Sequence, residues 1–580
     1  MRRAKIVCTL GPASDDRETI QGLADAGMSV ARLNASHGTV EDREAAIERI
    51  RGIDGADGAP VATLLDVPGP EIRTAPLEEG ASVAVPTGST RRLVEGETVD
   101  NDVIGLSASI AAVDPDDRVL LDDGRIETTV ERVEGETVVV DVDSGGQLGG
   151  RKGVNVPGVD LGLEFVNESD REELRLAADA GADYVAASFV GSAADVYAVN
   201  ATLEEFGADI PVIAKIERAD AVERIDEILE AADGVMIARG DLGVECPLER
   251  VPLIQKRIIR KAQAVGVPAI TATEMLDSMI EARRPTRAEA SDVANAVLDG
   301  TDAVMLSGET AIGDDPVNVV ETMARIVADV ESSDEYAESR DNRVPPASEP
   351  RTDAIARSAR YLARDVDAEA VVTVTESGYT AHKVAKYRPA VPIVAVTPDA
   401  AVRRRLALLW GVLPRYRPSP AGGATKLIES AAAEAIDAGV IDSGDTVVVL
   451  AGMMTELEGA NTTNTMKVHV AAEVLASGRG VCAGRAVGPV FVSADGDLTD
   501  CPDGSVVVLP AAFEGELSGD LSAVGAIVTA QSGMTSYPAM IARELGVPMV
   551  GDATLSLSDG TVVTVDGDRG VVYEAAADER

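Results

Sequence analysis

The sequence predicts an α/β protein built around a closed barrel of eight parallel strands, and three observations lead there. Over the first 330 residues one unit recurs: a short β-branched strand, a polar tip, then an amphipathic helix. The recurrence is interrupted between residues 74 and 155 by alternating patterns such as ETVVVDVDS. A second strand–helix series begins after residue 350, and near Ser477–Gly480 the chain turns Gly-rich and starts a further unit. Eight strands alternating with helices close into a (β/α)8 barrel of the TIM type, with its site at the strand C-terminal ends.

In chain order the barrel strands read Lys5–Leu10, Val30–Asn34, Val61–Asp66, Asp183–Phe189, Pro211–Ile216, Gly234–Ala238, Pro268–Ala272 and Ala303–Leu306. The barrel thus takes residues 1–73 and 156–340. Strand three does not lead directly to its helix; residues 74–155 read as a small antiparallel β domain, a β-barrel lid over the strand ends. Residues 331–350 are polar and Pro-containing, and read as a helix end plus a linker. Strand Ala370–Val374, helix Thr380–Tyr387, strand Ile393–Val396, helix Ala424–Ala438 and strand Thr446–Leu450 give a doubly wound sheet over 351–475. The last unit, 478–580, has strands Val506–Leu509, Ala526–Val528 and Val547–Val550 and a helix Pro538–Leu545.

Composition narrows the setting. No apolar run approaches the 18 or so residues of a membrane span, and the N-terminus lacks a signal-peptide pattern. Four scattered cysteines form neither a metal pattern nor a disulfide framework, which fits a reducing cytoplasm. The formal net charge is −46, and only nine of the 52 basic residues are lysine. Self-repulsion of that size opposes the compact state in dilute buffer, but at 1 M salt the Debye length falls to about 3 Å. The composition therefore predicts adaptation to a very salty cytosol, as in halophilic archaea. Nucleic acid is excluded as a partner, since nothing here neutralises a phosphate backbone.

The strand tips carry the chemistry. Strand two supplies Arg32, Asn34, Ser36 and His37; strand three Asp66 and Arg73; strand five Lys215 and Glu217; strand six Arg239 and Asp241; strand seven Thr273; strand eight Ser307 and Glu309. Any one could be a solvated rim charge. Together they describe a mouth for an anionic, metal-bound substrate. Glu217 and Asp241 are hard oxygen ligands on adjacent strands, suited to Mg²⁺, which takes few carboxylates. Lys215, two residues before Glu217, shares its face and can neutralise a phosphoryl group in transfer. Gly240 has no side chain, so the amides opening the next helix can approach a carboxylate.

These strings, in this order, resemble the pyruvate kinases over residues 1–475. RPTRAEASDVANAVLDGTDAVMLSGETA (284–311) is similar to that family's longest signature, GGQLGGRKGVNVPGVDLGL (145–163) to its return from lid to barrel, and NTTNTMKVHV (461–470) to the end of its C-terminal domain. The resemblance implies phosphoryl transfer from phosphoenolpyruvate to ADP, giving pyruvate and ATP, the last step of glycolysis. It implies that Arg32 and Lys215 contact the phosphoryl group and that Glu217 and Asp241 hold Mg²⁺ or Mn²⁺. Gly240, Asp241 and Thr273 would meet the substrate, with Thr273 over the enolate face. Asn34, Ser36, Asp66 and the carbonyl of Val67 would hold K⁺, as Glu71 also indicates; Asn34, His37 and Arg73 would lie by the nucleotide. A homotetramer is the implied assembly, and 351–475 the implied regulatory domain. There, Thr375, Ser377 and Thr380 mark either an anion site or ordinary helix capping.

The sequence departs from the family at Val67-Pro68, where Thr-Lys is usual, at Glu274 for Gln, at Gly191 for a basic residue and at Arg218 for Asn. Pro68 removes a charge near the nucleotide. GRAVGPVFV and AIVTAQSGMTSYPAMIARELGVPMVG resemble the swivelling phosphohistidine domain of phosphoenolpyruvate-utilising enzymes, whose Thr-Ser-His triplet here reads Thr535-Ser536-Tyr537. A phenol is a poor substitute for imidazole as a nucleophile near neutral pH, so this unit is expected to stand outside the catalytic cycle; Thr535, Ser536 and Arg543 could still contact a phosphate. Three other readings compete. A phosphoenolpyruvate synthase or dikinase would need the missing histidine and an ATP-binding domain. A Mg²⁺-dependent pyruvate aldolase or lyase would need neither Lys215 nor a lid. A binding-only paralogue would not need Lys215, Glu217, Asp241 and Thr273 together.

Overall fold

Apolar runs too short for helices form the innermost layer of the larger unit. The computed structural model describes every residue except Met1, Glu79, 349–350, 419–422, 453–462, Glu473, Ser532 and 576–580. The expected C-terminal motif loses its Asn461 and Thr462 to that gap. Strands Lys5–Thr9, Val30–Asn34, Ala62–Val67, Tyr184–Ala187, Val212–Ile216, Gly234–Ala238, Ala269–Ala272 and Ala303–Leu306 close into one parallel barrel. Alternate side chains point in and out. Val7, Val30, Leu64, Tyr184, Ile213, Met236, Ile270 and Met305 fill the interior, while Ile6, Cys8, Leu33, Leu65, Val185 and Ile237 pack outward with the helices.

The lid departs from the expectation in one respect. Its seven-stranded sheet is mostly antiparallel, but Thr90–Glu95 and Val103–Leu106 run parallel. The sheet's edge strands meet at a Thr74–Leu106 bridge, which brings it round into a small barrel. Its first strand is Ile72–Arg73, paired with Gly153–Asn155, so Arg73 belongs to the lid sheet and not to the tip of strand three, which ends at Val67.

The polar stretch expected as a helix end plus a linker holds the end of one helix, Pro316–Glu331, and a second helix, Asp334–Asn342, capped by Ser333. Buried Tyr336 anchors it: its hydroxyl accepts from the Trp410 indole at 3.0 Å. One aromatic in a polar run is a weak signal, and tertiary packing decided the matter.

The chain divides into two compact units. The first comprises Met1–Arg360, Thr375–Pro418 and Met454–Thr463; the second Tyr361–Val374, Ser419–Met453 and Asn464–Arg580. Within the first, strands Ile393–Thr397 and Val412–Tyr416 pair in parallel. Within the second, Ala370–Val374 pairs in parallel with Thr446–Ala451, which pairs antiparallel with Thr465–Val470. The second unit also holds an eight-stranded sheet spanning 474–574 with apolar clusters about Val506 and Val507. Arg569 Nη2 donates to Thr446 Oγ1 at 2.7 Å and joins this sheet to the preceding α/β segment.

Candidate active site

Pairing register sets the site before any side chain does. Parallel neighbours place Asn34 beside Asp66, Asp66 beside Ala186, and Ala238 beside Ala272, so the tips end on one rim. Asp66 is the hub. Its Oδ2 accepts from Arg32 Nε at 2.7 Å, and its Oδ1 lies 3.3 Å from Lys215 Nζ and accepts from Ser188 Oγ at 3.2 Å. Arg32 Nη1 donates to Thr9 Oγ1 at 2.9 Å. Lys215 Nζ also donates to Ser188 Oγ at 2.7 Å and pairs with Glu217 Oε1 at 3.1 Å. Asp66 and Glu217 are 1% and 2% exposed, so these charges sit where Coulomb attraction is strong and an unpaired charge is costly.

The titration behaviour follows from that packing. Burial opposes ionisation of Asp66, but Lys215 and Arg32 outweigh it and hold the carboxyl below the ordinary carboxylate range. Burial likewise opposes the charge on Lys215, and Asp66 with Glu217 overturns it, raising the amine above its usual value. Asp241 is the opposite case. Burial first, then the charge of Glu217, pushes its carboxyl up to about 7. Two carboxylates that repel at a buried site, with Lys215 insufficient to balance both, fit a divalent cation. Among the described residues no group of three or more His, Cys, Asp and Glu is arranged to hold a metal; the pair is what the mouth offers.

Backbone geometry fixes two further tips. Phe189 has φ +57°, which turns its N–H onto Glu217 Oε2 at 2.7 Å. Thr273 has φ +67°, and its hydroxyl accepts from the Gly240 N–H at 2.9 Å and donates to the Ala272 carbonyl at 2.8 Å. The Gly240 amide, expected to face a substrate carboxylate, thus holds Thr273 here. A Cβ at Gly240 would meet Thr273 Oγ1 at an ordinary 3.8 Å, so space does not require glycine there. Glu309 is spent on structure: it accepts from the amides of Leu276 (3.0 Å) and Ser307 (2.6 Å).

The remaining sequence candidates lie further out. Asn34 Oδ1 accepts from the Ser36 N–H at 3.2 Å, and the His37 N–H donates to the Asn34 carbonyl at 3.3 Å; Ser36 and His37 are exposed. The Val67 carbonyl accepts from the Ser188 N–H at 3.4 Å. Arg73 pairs with Glu71 at 2.7 Å and reaches the Arg151 carbonyl at 3.1 Å. Between lid and barrel rim a cleft of about 200 Å³ is lined by Glu71, Asp123, Asn155, Phe189, Arg218 and Asp241, among others. Ser188, Phe189, Thr9 and Asp123 escaped sequence reasoning. Ser188 directly follows the apolar strand Tyr184–Ala187, where only the empty slot at tip four could have drawn attention to it.

A rim on which fixed cations face a carboxylate pair, under a lid, defines a barrel enzyme acting on an anionic substrate. Family models match in order along the chain: "Pyruvate kinase, barrel domain" over 1–320, "Pyruvate kinase, alpha/beta domain" over 353–469 and "PEP-utilising enzyme, mobile domain" over 501–570. A pyruvate kinase of Geobacillus stearothermophilus is 44% identical with 99% of each chain covered. Pyruvate kinases of Bacillus licheniformis and Sporosarcina psychrophila are 42% and 40% identical with 100% of each chain covered. The chain belongs to the pyruvate kinase family and is an enzyme of that family. These relatives are bacterial, so kinship with halophilic archaea does not come from them. No helix among the described residues is long and apolar enough to cross a membrane.

Proposed function

We propose that the barrel mouth transfers the phosphoryl group of phosphoenolpyruvate to ADP, giving pyruvate and ATP, with the residues in the following roles. Arg32 and Lys215 hold the phosphoryl oxygens and offset the charge spread over them in transfer. Both are locked on Asp66 beforehand, so little reorganisation is needed at the moment of reaction. Glu217 and Asp241 hold Mg²⁺ or Mn²⁺; when bound, such an ion neutralises phosphate oxygens. Gly240, Asp241 and Thr273 position the substrate carboxylate and enolate, and Thr273 stands by the carbon that takes a proton. Asn34, Ser36, Asp66 and the Val67 carbonyl hold K⁺; Asn34, His37 and Arg73 serve the nucleotide, with the lid carrying Arg73 to it.

The observation that supports this reading most is Lys215 itself, a buried cation set between Asp66, Glu217 and Ser188. A lyase or aldolase has no use for it. The test is a coupled assay for pyruvate from phosphoenolpyruvate, with and without ADP. Pyruvate should form only with ADP and in step with ATP; equal rates without ADP would overturn the assignment.

Within this reading residues 1–73 and 156–340 form the catalytic barrel, save that Ile72–Arg73 pair into the lid sheet, 74–155 the lid, 351–475 a regulatory domain and 478–580 a retired phosphohistidine-like unit. The assembly is a homotetramer in the cytoplasm. The −46 charge supports a protein adapted to concentrated salt, of the kind found in haloarchaea. A rise of thermal stability with any screening salt, K⁺ or not, would support that adaptation.

A further inference from the structure

Arg239 has no part in the roles above. From the tip of strand six its guanidinium reaches strand seven, where Nε donates to the Ala272 carbonyl at 3.0 Å and Nη2 to the Thr273 carbonyl at 2.8 Å. Behind it, Asp292 accepts from Nη1 at 2.7 Å and lies 2.7 Å from Nη2. Asp292 rides on the helix Arg287–Asp299, whose start is fixed by a capping box between Thr286 and Glu289. The Arg239 side chain is only 14% exposed. A planar fork gripped by a carboxylate on one side and two carbonyls on the other has little freedom.

What the fork grips is an unusual stretch of backbone. Thr273 and Glu274, neither of them glycine, both lie in the left-handed region, at φ +67° and +50°. Such residues persist only where the surroundings over-determine them. Here the determinants come from one dipeptide: the Arg239 side chain holds the carbonyls on either side of the Thr273 amide and α-carbon, and the Gly240 N–H holds the Thr273 hydroxyl.

We propose that Arg239, braced by Asp292, is a positioning residue that sets the Thr273 hydroxyl for enolate protonation without touching the substrate. The proposal rests on the reading of Thr273 given above. Its consequence is specific: losing the fork releases the strained tip and harms the proton step, while phosphoenolpyruvate and the divalent ion, held chiefly by Arg32, Lys215, Glu217 and Asp241, still bind.

The test uses the full-length enzyme and the variants Arg239→Met, Arg239→Lys, Asp292→Asn, Thr273→Ala and Arg239→Met/Thr273→Ala. The readouts are kcat and KM for phosphoenolpyruvate, and exchange of the pyruvate methyl hydrogens with solvent deuterium, followed by NMR with Mg²⁺ present. Arg239→Met should slow both kcat and exchange by about 10²-fold, the scale of a misplaced reacting group. KM for phosphoenolpyruvate should stay within about threefold, since the phosphoryl group and the metal keep their partners. Arg239→Lys should recover only part, because a point charge cannot serve both carbonyls and the carboxylate. Asp292→Asn leaves the guanidinium in place and should slow exchange by about 10-fold, which keeps the proposal testable if Arg239→Met does not fold. Thr273→Ala should be slow in exchange, and adding Arg239→Met to it should cost less than about twofold more, since both changes act on one group. Exchange at the parental rate in Arg239→Met or Asp292→Asn beside a slow Thr273→Ala would overturn the positioning role and leave Thr273 standing, as would full multiplicative effects in the double variant. Exchange at the parental rate in Thr273→Ala would instead overturn the reading of Thr273 on which the proposal depends.

Discussion

The barrel mouth and the helix tip at Thr535-Ser536-Tyr537 carry two segments that resemble enzymes of phosphoenolpyruvate chemistry, and they are built differently. At the mouth each buried charge answers another: Arg32 and Lys215 meet on Asp66, and Lys215 also faces Glu217. At the tip of helix Tyr537–Leu545 the Tyr537 hydroxyl accepts a hydrogen bond from the Leu517 N–H at 3.2 Å, and Arg543 donates to the Met534 carbonyl at 2.7 Å. There Tyr537 and Arg543 serve backbone. The comparison teaches that sheet and core do not depend on the polar groups at such a tip, whereas a buried charge network survives only as a whole.

The largest effect expected from breaking the mouth is in Lys215→Met. ATP formation should fall by about 10²–10³-fold or more, because one preorganised charge is lost at the transition state. The structure adds a cost in folding: Asp66 and Glu217 lose a buried partner, so stability should drop by about 3 kcal/mol in chemical denaturation. Turnover near the parental rate would break the comparison at its centre.

Next come Asp241→Asn and Glu217→Gln. Each should raise the Mg²⁺ concentration needed for half activity by about 10-fold or more, and an unchanged requirement would move the metal elsewhere. Potassium dependence sharpens the same picture. With ionic strength held by tetramethylammonium, activity should collapse without K⁺; full activity would refute the site at Asn34, Ser36, Asp66 and Val67.

Asp66 makes a prediction in pH. Its folded carboxyl sits below its unfolded value, so its contribution to stability is complete above about pH 4 and is lost as pH falls through the folded value. The acid limb of the stability curve should therefore be shallower in Asp66→Asn below about pH 4 than in the parent. A limb of unchanged slope would show that Arg32 and Lys215 do not hold the carboxyl down.

The smallest effect on turnover belongs to the other region. Deleting 478–580 should leave kcat within about threefold, while stability or oligomer size changes, because Arg569 no longer reaches Thr446. A truncated chain that keeps the parental oligomer yet cannot turn over would erase the contrast.

Much of this was legible in the sequence because period-two and helical patterns report burial directly: strands Val30–Asn34, Gly234–Ala238 and Ala303–Leu306 fall on the residues expected of them. The charged members of the site were legible for the same reason, since a charge at the end of an apolar strand is conspicuous. What stayed hidden was whatever depends on backbone conformation or on a neutral side chain. Ser188 is a hydroxyl in the turn after an apolar strand, Phe189 acts through its amide, and Arg239 acts on carbonyls at the tip of the neighbouring strand. Arg73 was placed on the wrong element because a two-residue strand leaves no periodicity. The helix at Asp334–Asn342 depends on Tyr336 and Trp410, which are far apart in sequence.

The most direct measurement follows the phosphoryl group itself. The full-length protein is incubated with ³²P-phosphoenolpyruvate, Mg²⁺ and K⁺, first without ADP and then with it, and label is followed in protein and nucleotide. The account predicts no label on protein at any time and stoichiometric label in ATP once ADP is added. Label retained on the protein, at Tyr537 above all, would show that the second region takes part in the chemistry and would contradict the assignment of transfer to the barrel mouth alone.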